Sequence, residues 1–208
     1  MPSDPNPTFM HITHRYMKAL RGILTSAFIG ILSISSANGA AQEKKRAEAI
    51  RTSGEIQIDG KLDEASWKAA SPATDFIIYN PHNGEPSAFR TEVRILYDDD
   101  ALYIGAFMYD GMPDSIFTEL GQRDEGDINA DHFWVEISPF NDGLNGDMFK
   151  VSASNVQIDN KMTTTEDWGH NSDTWDAVWQ SRTRVNDEGW VAELKIPYSA
   201  LRFPRSDT

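Results

Sequence analysis

The chain has 208 residues, no Cys and a formal net charge of −13. That length holds one domain with appendages. The missing Cys excludes a disulfide framework and a cysteine nucleophile. So acidic a chain does not seek phosphate backbones, which excludes nucleic acid as a partner and suits neutral ligands or cations.

The N-terminus reads as a targeting segment. Arg15, Lys18 and Arg21 precede an apolar run from Gly22 to Ile34, and small residues follow from Ser35 to Ala41. Positive, then apolar, then small is the order of a secretory signal peptide, expected here over residues 1–41. Met17 is a better start than Met1. The run is too short and too rich in Ser and Gly for a membrane span. Removing it takes away three basic residues and Asp4, leaving a mature charge of −15. Export without Cys fits the periplasm, outer membrane or cell surface of a Gram-negative bacterium.

Residues 42–53 are charged and Ala-rich and read as a linker, a mobile lead-in or a short helical turn. Ile56-Gln57-Ile58 alternates and stops at the turn pair Asp59-Gly60. Asp63 to Trp67 reads as a capped helical turn that drops Trp67 inward. A short strand is expected over 75–79, and Asn80 to Pro86 is a loop. Thr91 to Tyr97 alternates as a strand, and Asp98-Asp99-Asp100 turns it. Leu102 to Tyr109 is apolar on both faces and should be central. Residues 111–129 are turn-rich and acidic, with a short strand near Ile116. Asp131 to Ser138 places Phe133, Val135 and Ile137 on one face and Trp134 on the other. Met148 to Ala153 pairs back, Val156 to Met162 follows, and residues 163–173 are polar. A hairpin closes the chain: a strand from Ala177 to Val185, a turn at Asn186 to Gly189, and a strand from Trp190 to Ile196. In that last strand Trp190, Ala192, Leu194 and Ile196 share one face. Many short strands with regular turn signals and no sustained helical period predict an all-β, antiparallel sandwich, jelly-roll-like, over residues 54–204.

Four segments in this order carry a resemblance: Ile56 to Trp67, Arg90 to Ala106, Asp131 to Ile137 and Gly189 to Pro197. Together the chain resembles family 9 carbohydrate-binding modules. With Trp175-Asp-Ala-Val-Trp179 and Leu201-Arg-Phe203 it is similar to a group in which the module precedes a C-terminal β-barrel domain. The resemblance implies a β-sandwich that binds an oligo- or polysaccharide without cleaving it, often beside a glycoside hydrolase, with calcium in some members. It also implies that this chain is a fragment of a longer protein.

Sugars stack their C–H faces on aromatic rings, while their hydroxyls need amides, carboxylates and Arg. The candidate sugar residues are Trp168, Trp175, Trp179, Arg90 and Asp131; packing at the sandwich edge and cross-strand charge pairing are the alternatives. Calcium needs several oxygens from tight loops. Asp98, Asp124 and Asp127 are the candidates, although turn chemistry alone also places Asp there. No zinc spacing, nucleophile elbow or phosphate loop is present. The alternative function is a structural sandwich that packs on a following barrel without binding sugar. Mass spectrometry of the exported protein should find its N-terminus between about Ala37 and Lys44; a mature chain retaining Leu24 to Ile34 would contradict the signal peptide.

Overall fold

The computed structural model describes residues 45–52, 54–141, 144–163 and 175–203. The expected signal peptide and Trp168 lie outside them. Among the described residues eight strands form two sheets. β1 (Ala49–Arg51), β2 (Thr91–Tyr97), β3 (Ala101–Tyr109), β7 (Gln180–Asn186) and β8 (Gly189–Pro197) make a five-stranded sheet in the order β1-β2-β3-β8-β7. β4 (His132–Ile137), β5 (Asn145–Ser152) and β6 (Gln157–Thr163) make a three-stranded sheet in chain order. All pairings are antiparallel except β1 with β2. The fold is all-β, as expected, and β3 is the central strand of the larger sheet.

The period of two in each strand decides what the sheets bury. Ile104 and Ala106 of β3 and Trp190, Ala192, Leu194 and Ile196 of β8 meet Phe149 and Val151 of β5 in one core. Phe133, Val135 and Ile137 pack against it from β4. This core joins the two sheets face to face.

The other face of the larger sheet is also covered, which is why β3 is apolar on both sides. A second cluster joins Leu96, Ala101 and Tyr103 to Ile56, Ala70 and the fully buried Trp67. Trp67 comes from a single helical turn, α1 (Ala65–Ala69). The N-cap is Glu64, and its side chain makes no capping bond; it accepts the Gln57 N–H at 3.1 Å instead. Gly105 of β3 lies beneath Trp67. A Cβ there would come within 2.6 Å of Leu62 and 3.1 Å of the Trp67 ring. Only glycine leaves room there for the indole and Leu62.

Opposite Gly105, in register, stands Glu193 of β8, with 0% of its surface exposed. One oxygen accepts the N–H groups of Asp59 and Gly60 at 3.0 and 2.9 Å. The other accepts the Trp67 indole N–H at 3.2 Å. The turn pair Asp59-Gly60 therefore aims its donors inward, which Gly60 permits by adopting φ +80°. Burial pushes the Glu193 carboxyl up to about 7 while the three donors pull it down.

Some expectations shift. Residues 49–51 form a parallel edge strand rather than a lead-in or helical turn, because β2 offers them an open edge and Ile50 packs on the second cluster. Residues 75–79 contribute one isolated bridge, Ile77 with Pro86, rather than a strand. Near Ile116 the chain makes a 3-10 turn (Pro113–Ser115) before the bridge of Thr118 with Ala130. In the last hairpin the first strand starts at Gln180, not Ala177, because Ala177 and Trp179 are bound inward to Asp159 while Val178 is exposed.

The raised Glu193 carboxyl makes stability depend on pH with a definite sign. Between its ordinary value and about 7 the folded protein keeps a proton that the unfolded chain has lost. Stability from this group therefore falls as pH rises through that window and levels off above it. In denaturant titrations, the advantage of the wild type over Glu193→Gln should shrink by about 3 kcal/mol from about pH 4 to about pH 8. Parallel pH profiles for the two proteins would contradict this.

Candidate functional site

Two groups of aromatic and polar residues stand out. The first is the outer face of the three-stranded sheet. With Phe133, Val135 and Ile137 committed to the core, Trp134 must point the other way. It is 52% exposed, and it is the one exposed Trp among the described residues. Lys150 stands opposite it on β5, and Ile158 opposite Lys150 on β6. In the next row Glu136 faces Met148, which faces Asn160. In the row before, His132 faces Ser152.

This face carries shifted ionisable groups. Burial lowers the His132 imidazole, with the Lys150 charge adding to it. Burial lowers Lys150 as well, while Asp127 raises it in part. His132 Nε2 is buried with no hydrogen-bond partner among the described residues. Asp131, just before β4, is raised by burial, opposed by a backbone hydrogen bond at Phe117 and aided by the Asp110 charge. Its backbone is fixed on both sides: its N–H donates to Phe117 at 2.9 Å and its carbonyl accepts from Ala153 at 2.8 Å. An exposed aromatic ring beside an ammonium, an imidazole, a carboxylate and an amide can stack a sugar ring and bond its hydroxyls.

The second group lies around a buried carboxylate, Asp159 of β6. Its Oδ1 accepts the Trp179 indole N–H at 3.0 Å, and its Oδ2 accepts the Ala177 N–H at 2.7 Å. Arg123 pairs with the same carboxylate and also reaches the Ala177 carbonyl at 2.8 Å, Gln157 at 2.8 Å and Asp176 at 3.0 Å. These bonds hold residues 175–179 against the sandwich edge. Trp179 is buried and packs edge-on to Phe149 at 5.5 Å. Trp175 is half-buried, edge-on to Phe149 at 5.7 Å, with the Lys161 ammonium 4.0 Å from its ring centroid. Both rings are thus engaged in packing, and Trp179 offers no free face.

The sequence candidates fall in separate places. Arg90 is ion-paired with Glu92, and its guanidinium lies 4.5 Å from the Tyr109 ring centroid. It shares the end of β3 with Asp131, whose carboxyl feels Asp110, but not the Trp175 and Trp179 neighbourhood. Asp98 is a turn residue. One oxygen accepts the N–H groups of Asp100 and Ala101 at 2.8 Å each, and the other accepts the Tyr103 hydroxyl at 2.7 Å. Asp124 accepts the Asp159 N–H at 3.3 Å and lies 3.5 Å from Arg123 Nε. Asp127 is exposed. Among the described residues no three acidic or His side chains are grouped to hold a metal. Trp134 and Lys150 were not singled out from the sequence, although the phase of Trp134 signalled its direction. Arg123 had no signal, because it sits in a turn-rich stretch whose partners are distant in the chain.

Two facing sheets with an aromatic-bearing outer face define a β-sandwich of the binding-module kind. Residues 58–208 match the family model "Carbohydrate family 9 binding domain-like". The chain belongs to that family, one of non-catalytic binding modules. No curated protein matches the chain. Among solved structures, it is similar to a family 9 carbohydrate-binding module from Caldicellulosiruptor kristjanssonii in complex with cellotriose. That likeness has 17% identity and a TM-score of 0.48, over 78% of this chain and 72% of that one. A structure of such a module from the same organism in complex with glucose is similar at 18% identity and a TM-score of 0.47, over 77% and 73%.

The Asp159 cluster makes a quantitative expectation. Asp159→Ala would leave Arg123 and two N–H donors without their acceptor, and removing one partner of a buried ion pair costs about 3–5 kcal/mol. Urea unfolding should show a loss of that size; a change under ~1 kcal/mol would mean that the 175–179 segment is held by other contacts.

Proposed function

We propose that this chain is a non-catalytic carbohydrate-binding module of an exported bacterial protein, accessory to polysaccharide binding or breakdown. Its site on this reading is the outer face of the three-stranded sheet around Trp134. Family membership supports a carbohydrate as the ligand. The observation that carries the location is the exposure of Trp134 in a row with Lys150, on the face that also carries His132.

A large aromatic ring held in water on a rigid strand is free to take the C–H face of a pyranose, and it costs no reorganisation to do so. Burial and the Lys150 charge favour the neutral form of His132; one ring nitrogen bonds the Ala130 backbone, which leaves Nε2 as the acceptor. Lys150 supplies donors for hydroxyls. Trp168, on the segment between Thr163 and Trp179, remains a second platform in this proposal. A secreted life in the Gram-negative envelope and a longer parent chain with a C-terminal β-barrel belong to the same reading, supported by the signal-like N-terminus and the family resemblance.

The second reading is a structural sandwich that packs on such a barrel and binds no sugar. It is favoured by the packing of Trp175 and Trp179 into the core.

The two separate by calorimetry with a panel of neutral oligosaccharides that includes cellotriose. The sugar reading expects weak binding, micromolar to millimolar, because one stacking ring and a few hydrogen bonds supply about 4–8 kcal/mol. Trp134→Ala should weaken binding at least about tenfold and leave the melting temperature nearly unchanged. Trp179→Ala should do the reverse. Undiminished binding by Trp134→Ala would remove the site from this face; a folded wild type that binds no glycan would support the structural reading.

A further inference from the structure

A groove of about 560 Å³ opens on another part of the surface. Its walls are the turn that joins β5 to β6, the edge strand β7, and the loop around Arg123. Ile58, Leu120 and Val156 give it an apolar side. It shares no residue with the Trp134 face. The volume lies within the range of small-ligand clefts and suits a sugar unit or two.

The charge of this groove runs against the charge of the chain. The protein carries a net −13, yet the groove lining contains two Arg and neither Asp nor Glu. Arg123 is committed to Asp159, Asp176 and Gln157. Arg182 is different. Its register partner on β8 is Glu193, whose oxygens are taken by Asp59, Gly60 and Trp67. Arg182 is exposed and has no ion-pair partner among the described residues.

Other hydrogen-bonding groups line the same groove. Asn155 accepts the Ser181 hydroxyl at 3.0 Å through its Oδ1, which fixes the amide and leaves its N–H groups without a partner among the described residues. Gln180, next to Arg182 on the edge of β7, has an exposed side chain with no partner among the described residues either. The groove thus offers one planar guanidinium fork, two amides and an apolar wall.

We propose that this groove binds a carboxylated sugar, a uronic acid unit, with Arg182 taking the carboxylate and the amides of Asn155 and Gln180 taking ring hydroxyls. A guanidinium pairs a planar carboxylate through two parallel N–H bonds. Amides match vicinal hydroxyls as donor and acceptor together. The apolar side meets the C–H edge of the ring. A single uncommitted cation suits a monoanion better than a phosphate, which draws on more positive charge. The inference stands independently of whether Trp134 stacks a neutral sugar.

The test is a titration of the folded, isotope-labelled chain with methyl β-glucuronide and with methyl β-glucoside, followed by amide resonances. The two probes differ only in the carboxylate. Acetate serves as a third probe. The glucuronide should shift the amides of Asn155, Gln180, Ser181 and Arg182, saturating in the millimolar range, and the glucoside should not. Arg182→Gln, at an exposed position, should keep the dispersed spectrum of the wild type and weaken the glucuronide at least about tenfold, a loss of ~1.4 kcal/mol. Arg182→Lys should restore part of the affinity, because it keeps the charge and loses the fork. Equal response to both glycosides, acetate binding as tight as the glucuronide, shifts confined to the Trp134 face, or an unaltered Arg182→Gln titration would each overturn the proposal, as would the absence of any shift.

Discussion

A fully buried carboxylate, Glu193, ties the N-terminal third of the domain to its central strands. A charge in that position is costly unless it is hydrogen-bonded. The cost is offset by two backbone N–H groups and one indole N–H, all from a segment more than a hundred residues earlier in the chain. The geometry then constrains its neighbours. Gly105 must lack a side chain so that Trp67 can reach the carboxylate across β3, and Gly60 must take a left-handed conformation so that its N–H points inward. The five-stranded sheet is covered on its second face because this contact holds the cover in place.

Asp159 repeats the device on the other sheet. It too is a strand carboxylate that grips an indole N–H and a backbone N–H, here from Trp179 and Ala177. Arg123 supplies the opposite charge that Glu193 lacks. The two carboxylates serve one architectural purpose: each draws a non-strand segment onto the sandwich with directional bonds, where apolar packing alone leaves the register free. With Trp67, Trp179 and Trp190 buried and Trp175 packed beside them, Trp134 is the one indole left exposed among the described residues.

Much of the fold was legible because strand period is a local property. Phe133 to Ile137 and Trp190 to Ile196 each declare their buried face without reference to the rest of the chain. The double-sided burial of β3 was legible for the same reason. The edge strand at 49–51 was not, since its pairing depends on an open edge of β2 that no local pattern reveals. Glu193 was placed on the correct face, but its burial depends on Trp67 and the Asp59-Gly60 turn, both remote in sequence. The site was harder. Trp175 and Trp179 were attractive as loop aromatics, and the partners that pull them inward, Asp159 and Phe149, announce nothing in sequence. The bonds of Asp98 to the Tyr103 hydroxyl and two backbone N–H groups were not legible in the sequence either.

The central functional claim is that a neutral sugar lies on the outer face of the three-stranded sheet. A crystal structure of the chain with a bound neutral oligosaccharide tests it most directly. The account predicts a pyranose ring stacked parallel on the Trp134 indole, with hydroxyls within hydrogen-bonding distance of Lys150 or His132. A sugar seated elsewhere, with the Trp134 ring left in open solvent, would contradict it.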